Sequence, residues 1–433
     1  MSWKNVKLGE VCIIEKGSTG ILKAISGKYP MVVTSEERKR HNEFQFDDEA
    51  VIIPLVSGTG HGHASIKRIH FQQGKFALGS ILCAVIPKDK KKLSAEYLYR
   101  FLHLNKENEL VARMKGMANV TLPMKEIAQI EIPLPTIKEQ FEFVEMYKDL
   151  EIKSNLLSTE FTHQLSLVKK LRQQLLQDAV QGKLVEQNKQ DEPASELLKR
   201  IKAKKEQLIK AGKLKKEKES PAIKEDEIPF GIPKGWVWCR LGEITKVKVG
   251  STPSRDNPKF WNGDIPWVSS GAVANNYIYD TKERITKLGF DNTSLIVYPK
   301  GSVLVAMIGQ GKTRGQTSIL KIDATTNQNV AGLIIEHDYL LSEYLWYFFL
   351  SRYEVTREGA SGGNQPALNG VKISNTVFPL PPLPVQNLIV QKLDELMQHC
   401  NELEESIKQS AAQNDKLLQQ VLREALRKEP VGV

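Results

Sequence analysis

Cysteine is scarce in this chain, and its four residues stand far apart. Cys12, Cys83, Cys239 and Cys400 form no C-x-x-C pair, so structural zinc and dithiol redox chemistry lack their usual spacing. Long apolar runs are missing as well. No stretch approaches the roughly 20 residues of a membrane span, and the N-terminus has no apolar signal core, so a cytoplasmic protein without membrane contact is expected. The Asn/Asp-Pro-Pro-aromatic motif of amino-methyltransferases does not occur.

Glycine loops are present but incomplete as cofactor motifs. "AMIGQGKT", Ala306 to Thr313, comes nearest to a phosphate-binding loop, with Ala306 where the first glycine belongs. The following "RGQTSILKID" is β-branched and predicts a strand, whereas a nucleotide's phosphates need a helix N-terminus there. "SGTGHG" in the first half lacks both the following helix and the acidic residue about 20 positions on. His61 and His63 have no neighbouring Cys or carboxylate and read as polar loop residues. No catalytic constellation, cofactor site or metal site is expected in this chain, so it reads as non-enzymatic.

What the sequence does have is basic charge and repetition. The formal net charge is +10, and Lys199 to Lys218 holds ten Lys/Arg against two Glu, so much of the excess sits in one segment. Leu197, Ile201, Leu208 and Leu214 recur there at helical spacing, which predicts either a solvated linker helix or a direct phosphate contact. "WKNVKLGEV" at Trp3 recurs as "WVWCRLGEI" at Trp236, and in the same register Gly17-Ser18-Thr19 falls on Gly250-Ser251-Thr252. Two matches in one register imply a duplicated unit.

The duplication resumes at "IPLPTIKEQ" (Ile132 to Gln140) over "FPLPPLPVQ" (Phe378 to Gln386). It runs without a gap, at an offset of 246, to "KLRQQLLQDA" over "KLLQQVLREA". Apolar residues at three- and four-residue steps predict two long helices of equal length. The first seam is Ile137, Phe141, Val144, Tyr147, Leu150, Leu157, Phe161, Leu165, Val168, Leu171, Leu175 and Ala179. The second is Val385, Ile389, Leu393, Leu396, Cys400, Leu403, Ile407, Ala411, Leu417, Val421 and Ala425. Such seams suit a coiled coil, with Asn414, in register with Val168, as a polar residue that fixes alignment. A helix of about 44 residues spans roughly 65 Å and could act as a ruler.

The remaining blocks mix strand-like runs ("AVIIPLV", "SVLVAMI") with one helix each, "SAEYLYRFL" and "SEYLWYFFL". Their framework is shared, but their loops differ. The second block has roughly sixteen extra residues around "RDNPKFWNGDIPWVSSG", where Trp261 and Trp267 read as packing anchors in preference to base-stacking side chains. Arg and Lys suit guanine edges, Asn and Gln suit adenine, and Ser and Thr support either, so the polar loops are the candidate DNA-reading surfaces. In the first block these are Ser18, Thr19, Thr59, His61, His63, Lys67, Arg68, Lys115, Asn119 and Thr121. In the second they are Ser251, Thr252, Ser254, Arg255, Ser269, Ser270, Gln310, Lys312, Arg314, Gln316, Ser361, Asn364 and Gln365.

Taken together, "GWVWCRLGEI", "GSTPSRDNPKFWNGDIPWVSSGAV", the paired proline motifs, "LRQQLLQDAVQGKLV" and "DEPASELLKRI" resemble the specificity subunits of Type I restriction-modification systems. The resemblance covers essentially the whole chain. The first repeat departs from it by beginning "MSWKNVKLGEV" without the Pro-x-Gly-Trp lead found before Trp236. It implies an α+β fold of two pseudo-twofold-related α/β target recognition domains, separated by two long antiparallel coiled-coil helices. The implied division is 1–135 and 228–381 for the recognition domains, 136–182 and 382–433 for the helices, and 183–227 for the basic linker. Double-stranded DNA with an asymmetric bipartite site, two methyltransferase (modification) subunits and restriction motor-nuclease subunits are the implied partners. S-adenosylmethionine and ATP would be bound by those partners and not by this chain. A stand-alone DNA-binding protein, or a coiled-coil adaptor without a restriction partner, is the alternative.

Overall fold

The computed structural model describes residues 3–58, 62–117, 119–212, 220–274, 277–309, 312–358 and 368–426. The chain forms two compact units, Met1–Gln164 with Ser406–Val433, and Leu165–Glu405. Each long helix, Ile137–Val180 and Leu383–Ala425, contributes one part to each unit. Among the described residues no helix is long and apolar enough to cross a membrane.

In unit 1 an antiparallel sheet has the order Cys12–Lys16, Leu82–Pro87, Ala50–Pro54, His70–Gln72. Unit 2 repeats that order with Lys246–Val249, Val330–Ile334, Val303–Ala306 and Thr317–Leu320, then adds Tyr277–Ile278 at the edge. Each unit also closes its ends with a two-stranded ribbon, Lys4–Lys7 on Glu131–Leu134 and Val237–Arg240 on Val377–Leu380. The central strands Ala50–Pro54 and Leu82–Pro87 are buried throughout, which explains their unbroken apolar sequence. In unit 2 Trp261–Val268 is the middle of a three-stranded sheet, antiparallel to Glu283–Ile285 and parallel to Thr325–Thr326, and in unit 1 Tyr29–Val32 lies likewise between Lys39–His41 and Lys75–Leu78.

The repeated proline motif is a structural clamp. Gln140 is fully buried at the start of the first long helix. Its Nε2 donates to Lys92 O (2.8 Å) and Pro135 O (2.9 Å), and its Oε1 accepts from Ser94 N (2.8 Å). In unit 2, Gln386 makes the same three bonds, to Tyr339 O, Pro381 O and from Leu341 N. Tyr97 and Tyr344, on the equivalent helices Ala95–Leu104 and Ser342–Ser351, donate to Pro133 O (3.1 Å) and Pro379 O (3.0 Å). A buried amide with all three partners ties ribbon, helix and long helix together in each unit.

The long helices pair antiparallel inside each unit. In unit 1, Tyr147 and Leu150 share a core with Leu418 and Leu422; in unit 2, Leu176 and Ala179 share one with Ile389 and Leu393. The single-track seam expected from the sequence needs correction at Phe141, Leu157, Leu171, Leu403 and Leu417, which are about half exposed. Phe143, Leu176 and Leu422 are buried instead. A 3.6-residue helix drifts about 20° per heptad against a fixed seven-residue track, so over six turns or more the inward face passes to neighbouring positions.

The linker helix, Ala194–Lys210, is not solvated on all sides. Ala194, Leu197 and Ile201 enter the unit 2 core, Lys205 Nζ donates to Gly242 O (2.7 Å), and Lys202 pairs with Glu243 at 2.7 Å. Downstream, the buried Arg240 spends all five guanidinium hydrogens: two on Glu227 (2.9 and 2.7 Å), the rest on Pro221 O, Ala222 O and Asn375 O. This bidentate bonding from Arg240 pulls the Glu227 carboxyl down to about 2. The Pro-x-Gly-Trp lead also has a partner. Gly182, at φ +70, lies against Pro233 and Trp236, and Trp236 Nε1 donates to Gln187 Oε1 at 2.8 Å.

Candidate nucleic-acid interface

In unit 1 the chain folding brings two of the candidate loops side by side. Ser57 N donates to Val120 O (2.9 Å), and Lys115 and Thr121 exchange backbone hydrogen bonds of 2.8 and 2.9 Å. Gly62 has φ +77, and a Cβ there would stand 2.4 Å from Met117 O, so only glycine permits this approach. Gly116, at φ +120, turns the second loop over Asn119. The shared rim therefore carries His63, Lys67, Lys115, Asn119 and Thr121, with Thr59 and His61 outside the described residues. At its tip Met117 is 94% exposed, an apolar side chain among the polar candidates.

Several of these groups already have partners. Lys115 Nζ lies 2.6 Å from Glu126, whose carboxyl it holds below its ordinary range, and Arg68 pairs with Glu36 at 3.2 Å. Beneath Arg68, Arg38 Nη1 approaches His70 Nδ1 at 3.1 Å. Burial, then the charge of Arg38, pushes the His70 imidazole down to about 4. His70 is thus a neutral acceptor that positions an arginine.

The recurring Gly-Ser-Thr marks a backbone crossing. A Cβ on Gly17 would lie 2.3 Å from Gly79 O, and one on Gly250 would lie 2.1 Å from Thr326 O. Ser18 donates through N and Oγ to Gln45 Oε1 (2.9 and 3.0 Å), and Thr19 N donates to Leu78 O. Correspondingly, Ser251 N donates to Thr326 O (2.9 Å), and Thr252 Oγ1 donates to Gln328 Oε1.

Unit 2 gathers its loops around Asn327-Gln328-Asn329. Val268 O accepts from Asn327 N (3.1 Å), Met307 N donates to Asn329 O (2.8 Å), and Gly250 N donates to Val330 O (3.2 Å). This hub places the loops of Ser251 and Thr252, of Ser269 and Ser270, and of Lys312 to Gln316 on one border. None of Asn327, Gln328 and Asn329 is among the polar loop candidates of the sequence, although three amides interrupt an otherwise β-branched run in "TTNQNV". Lys312 is exposed, and its carbonyl accepts from Tyr353 OH (2.7 Å). Arg314 Nη2 reaches Thr356 O at 3.4 Å, so this hairpin rests on the helix Tyr353–Glu358. Gln310, Ser361, Asn364 and Gln365 lie outside the described residues. The strand Thr317–Leu320 follows the Gly-Lys-Thr directly, an arrangement without the helix that a phosphate-binding loop requires.

Trp267 is buried and donates to Ser251 O (3.1 Å); Trp261 meets it edge-on at 5.1 Å and donates to Ser254 O (3.1 Å). Both are packing anchors. Arg255 stacks over Trp261 at 3.7 Å and also pairs with Glu283, which fixes the guanidinium near Ser254. Among the described residues no group of His, Cys, Asp and Glu could hold a metal ion.

Comparison with known proteins agrees with the duplicated architecture. Residues 1–165 and 233–413 match the Type I restriction modification DNA specificity domain. The Type I restriction enzyme EcoAI specificity subunit of Escherichia coli is 31% identical over 290 residues, covering 64% of this chain and 48% of that one. The EcoEI specificity subunit of the same species is 30% identical over 310 residues, covering 68% and 51%. The chain thus spans about half the length of these relatives. The crystal structure of the HsdS subunit from Thermoanaerobacter tengcongensis has the same fold, with a TM-score of 0.57 at 17% identity over 98% of this chain and 97% of that one. The family match covers both repeats, and this chain belongs to the Type I restriction modification DNA specificity family.

Proposed function

We propose that this chain is the DNA-reading subunit of a Type I restriction-modification complex, each unit reading one half of an asymmetric bipartite site in double-stranded DNA. The observation that carries this reading is a repeated framework with largely unrepeated loops: one sheet order and one glutamine clamp serve both units, while beyond the shared Gly-Ser-Thr the polar side chains of the rims differ. Unlike half-sites follow from unlike rims, whereas a symmetric dimer would read a palindrome. Lys115, Asn119 and Thr121 are the proposed readers in unit 1, and Thr252, Lys312, Arg314 and Gln316 in unit 2, with Gln328 added from the structure.

Chemistry would reside on partners: two methyltransferase subunits using S-adenosylmethionine, and a motor-nuclease subunit using ATP. Two copies of one methyltransferase suit a surface presented twice. Leu157 and Leu171 are exposed on the first long helix, and Leu403 and Leu417 are exposed at the same repeat positions on the second. The division into recognition domains 1–135 and 228–381, helices 136–182 and 382–433, and linker 183–227 belongs to this proposal.

The test is an exchange of residues 228–381 for the corresponding block of a relative, followed by mapping of methylated adenines in a host that also carries the modification subunits. One half-site should change and the other persist. A change in both, or methylation unaffected by loss of the chain, would favour an adaptor or a stand-alone DNA-binding protein.

A further inference from the structure

The two long helices are closely similar at their seam, but their buried layers are not all alike. Ser154 and Asn414 face each other in unit 1: Asn414 Nδ2 donates to Ser154 Oγ at 2.9 Å, and Ser154 is only 8% exposed. At the 246-residue offset their repeat equivalents are Cys400 and Val168, which are 1% and 7% exposed inside unit 2. One layer is therefore polar and hydrogen-bonded, and its twin is apolar. Many other inward positions match in character, as Val144 with Val390, Tyr147 with Leu393 and Leu176 with Leu422 do, although Arg172, which bonds Glu404 and Asn401 in unit 2, has Leu418 as its equivalent in unit 1.

A duplicated sequence carries a hazard. If the helices are interchangeable, the first long helix of one chain can pair with the first long helix of another, and likewise the second with the second, which gives an exchanged dimer. Antiparallel pairing in the observed register would then set Ser154 against Val168 twice and Asn414 against Cys400 twice. Every such layer leaves a polar group without a partner, whereas pairing within one chain satisfies Ser154 with Asn414 and Val168 with Cys400. We propose that the Ser154–Asn414 layer makes each long helix select its partner from its own chain over a second copy, as single polar core residues do in coiled coils. This inference is independent of the DNA reading.

The code can be inverted by exchanging two residues. Val168→Asn with Asn414→Val puts both polar residues on the first helix. Pairing within the chain is then mismatched at both of these layers, and exchanged pairing is matched at both. Adding Ser154→Cys and Cys400→Ser moves the whole polar layer into unit 2 and restores matching within the chain.

The full-length proteins are unfolded in urea, refolded over a range of concentrations and compared by sedimentation equilibrium. With an unpartnered polar group weighing about tenfold where it is buried, as at Ser154, and less at the half-buried Asn414, the double variant should raise the dimerisation constant at least about a hundredfold over the parent, and the quadruple variant should return to the monomer. A double variant that fails to fold beside a quadruple variant that refolds as a monomer also supports the proposal. It is overturned if the double variant is as monomeric and stable as the parent, or if the quadruple variant does not recover.

Discussion

Replacing Gln386 by Leu tests whether the repeated proline motif is a clamp. The leucine fills similar volume but forms no hydrogen bonds. It strands Tyr339 O, Pro381 O and Leu341 N, bonded at 3.1, 3.1 and 2.9 Å in the native unit around a fully buried side chain. An unpaired buried backbone group costs about 1–3 kcal/mol, so three of them should cost about 3–5 kcal/mol after local relaxation. Five of the six tryptophans, Trp236, Trp238, Trp261, Trp267 and Trp346, lie in unit 2, so fluorescence during urea unfolding reports that unit. With a slope of about 2–3 kcal/mol per molar, the midpoint should fall by about 1–2 M. Gln140→Leu should leave the fluorescence transition in place while destabilising unit 1 by circular dichroism. Gln391→Ala, an exposed change on the same helix, should shift stability by less than about 0.5 kcal/mol. A Gln386→Leu protein within about 1 kcal/mol of the parent would refute the clamp.

Other expectations bear on the rims and on pH. Alanine at both Lys312 and Arg314 should weaken DNA binding through unit 2 alone, by about 1–3 kcal/mol per base contact or with a lower salt slope per phosphate contact; unchanged affinity and slope would turn this hairpin away from DNA. Because burial holds His70 at about 4 while the unfolded imidazole titrates near 6.5, only the unfolded chain takes up a proton between those values. Unit 1 should therefore be unaffected above pH 6.5 and lose up to about 3 kcal/mol as the pH falls toward 4, a loss that His70→Gln should largely abolish. Four residues inserted after Ser158 lengthen the first long helix by about 6 Å, close to two base-pair steps, and the modified site should keep both half-sequences with a longer gap. An active insertion variant with an unchanged gap would show that helix length does not set the spacing.

Duplication, the two long helices, the ten-residue helix of each block and the strand after Gly-Lys-Thr were legible in the sequence, whereas the shorter helices of each block, such as Met124–Ala128 and Gly370–Ser374, were not. Each legible feature follows from local periodicity or from residues recurring at one offset, and neither needs a distant partner to be recognised. The seam was legible only in part: step counting on one track placed Leu157, Leu171, Leu403 and Leu417 inside, because helical drift over 44 residues depends on what packs alongside. The roles of polar residues were decided by tertiary structure. The Gly-Ser-Thr of the candidate loops also makes a close backbone crossing, and Gln140 and Gln386, to which the sequence assigned no role, are buried clamps. Gln328 belongs to no local motif; the fold gives it a role by bringing Thr252 to its side chain and Val268 and Met307 to its neighbours Asn327 and Asn329. The physical reason is common to all three. A polar side chain's role depends on which distant donors and acceptors the fold brings within 3 Å, whereas an apolar pattern requires only that one face leave water.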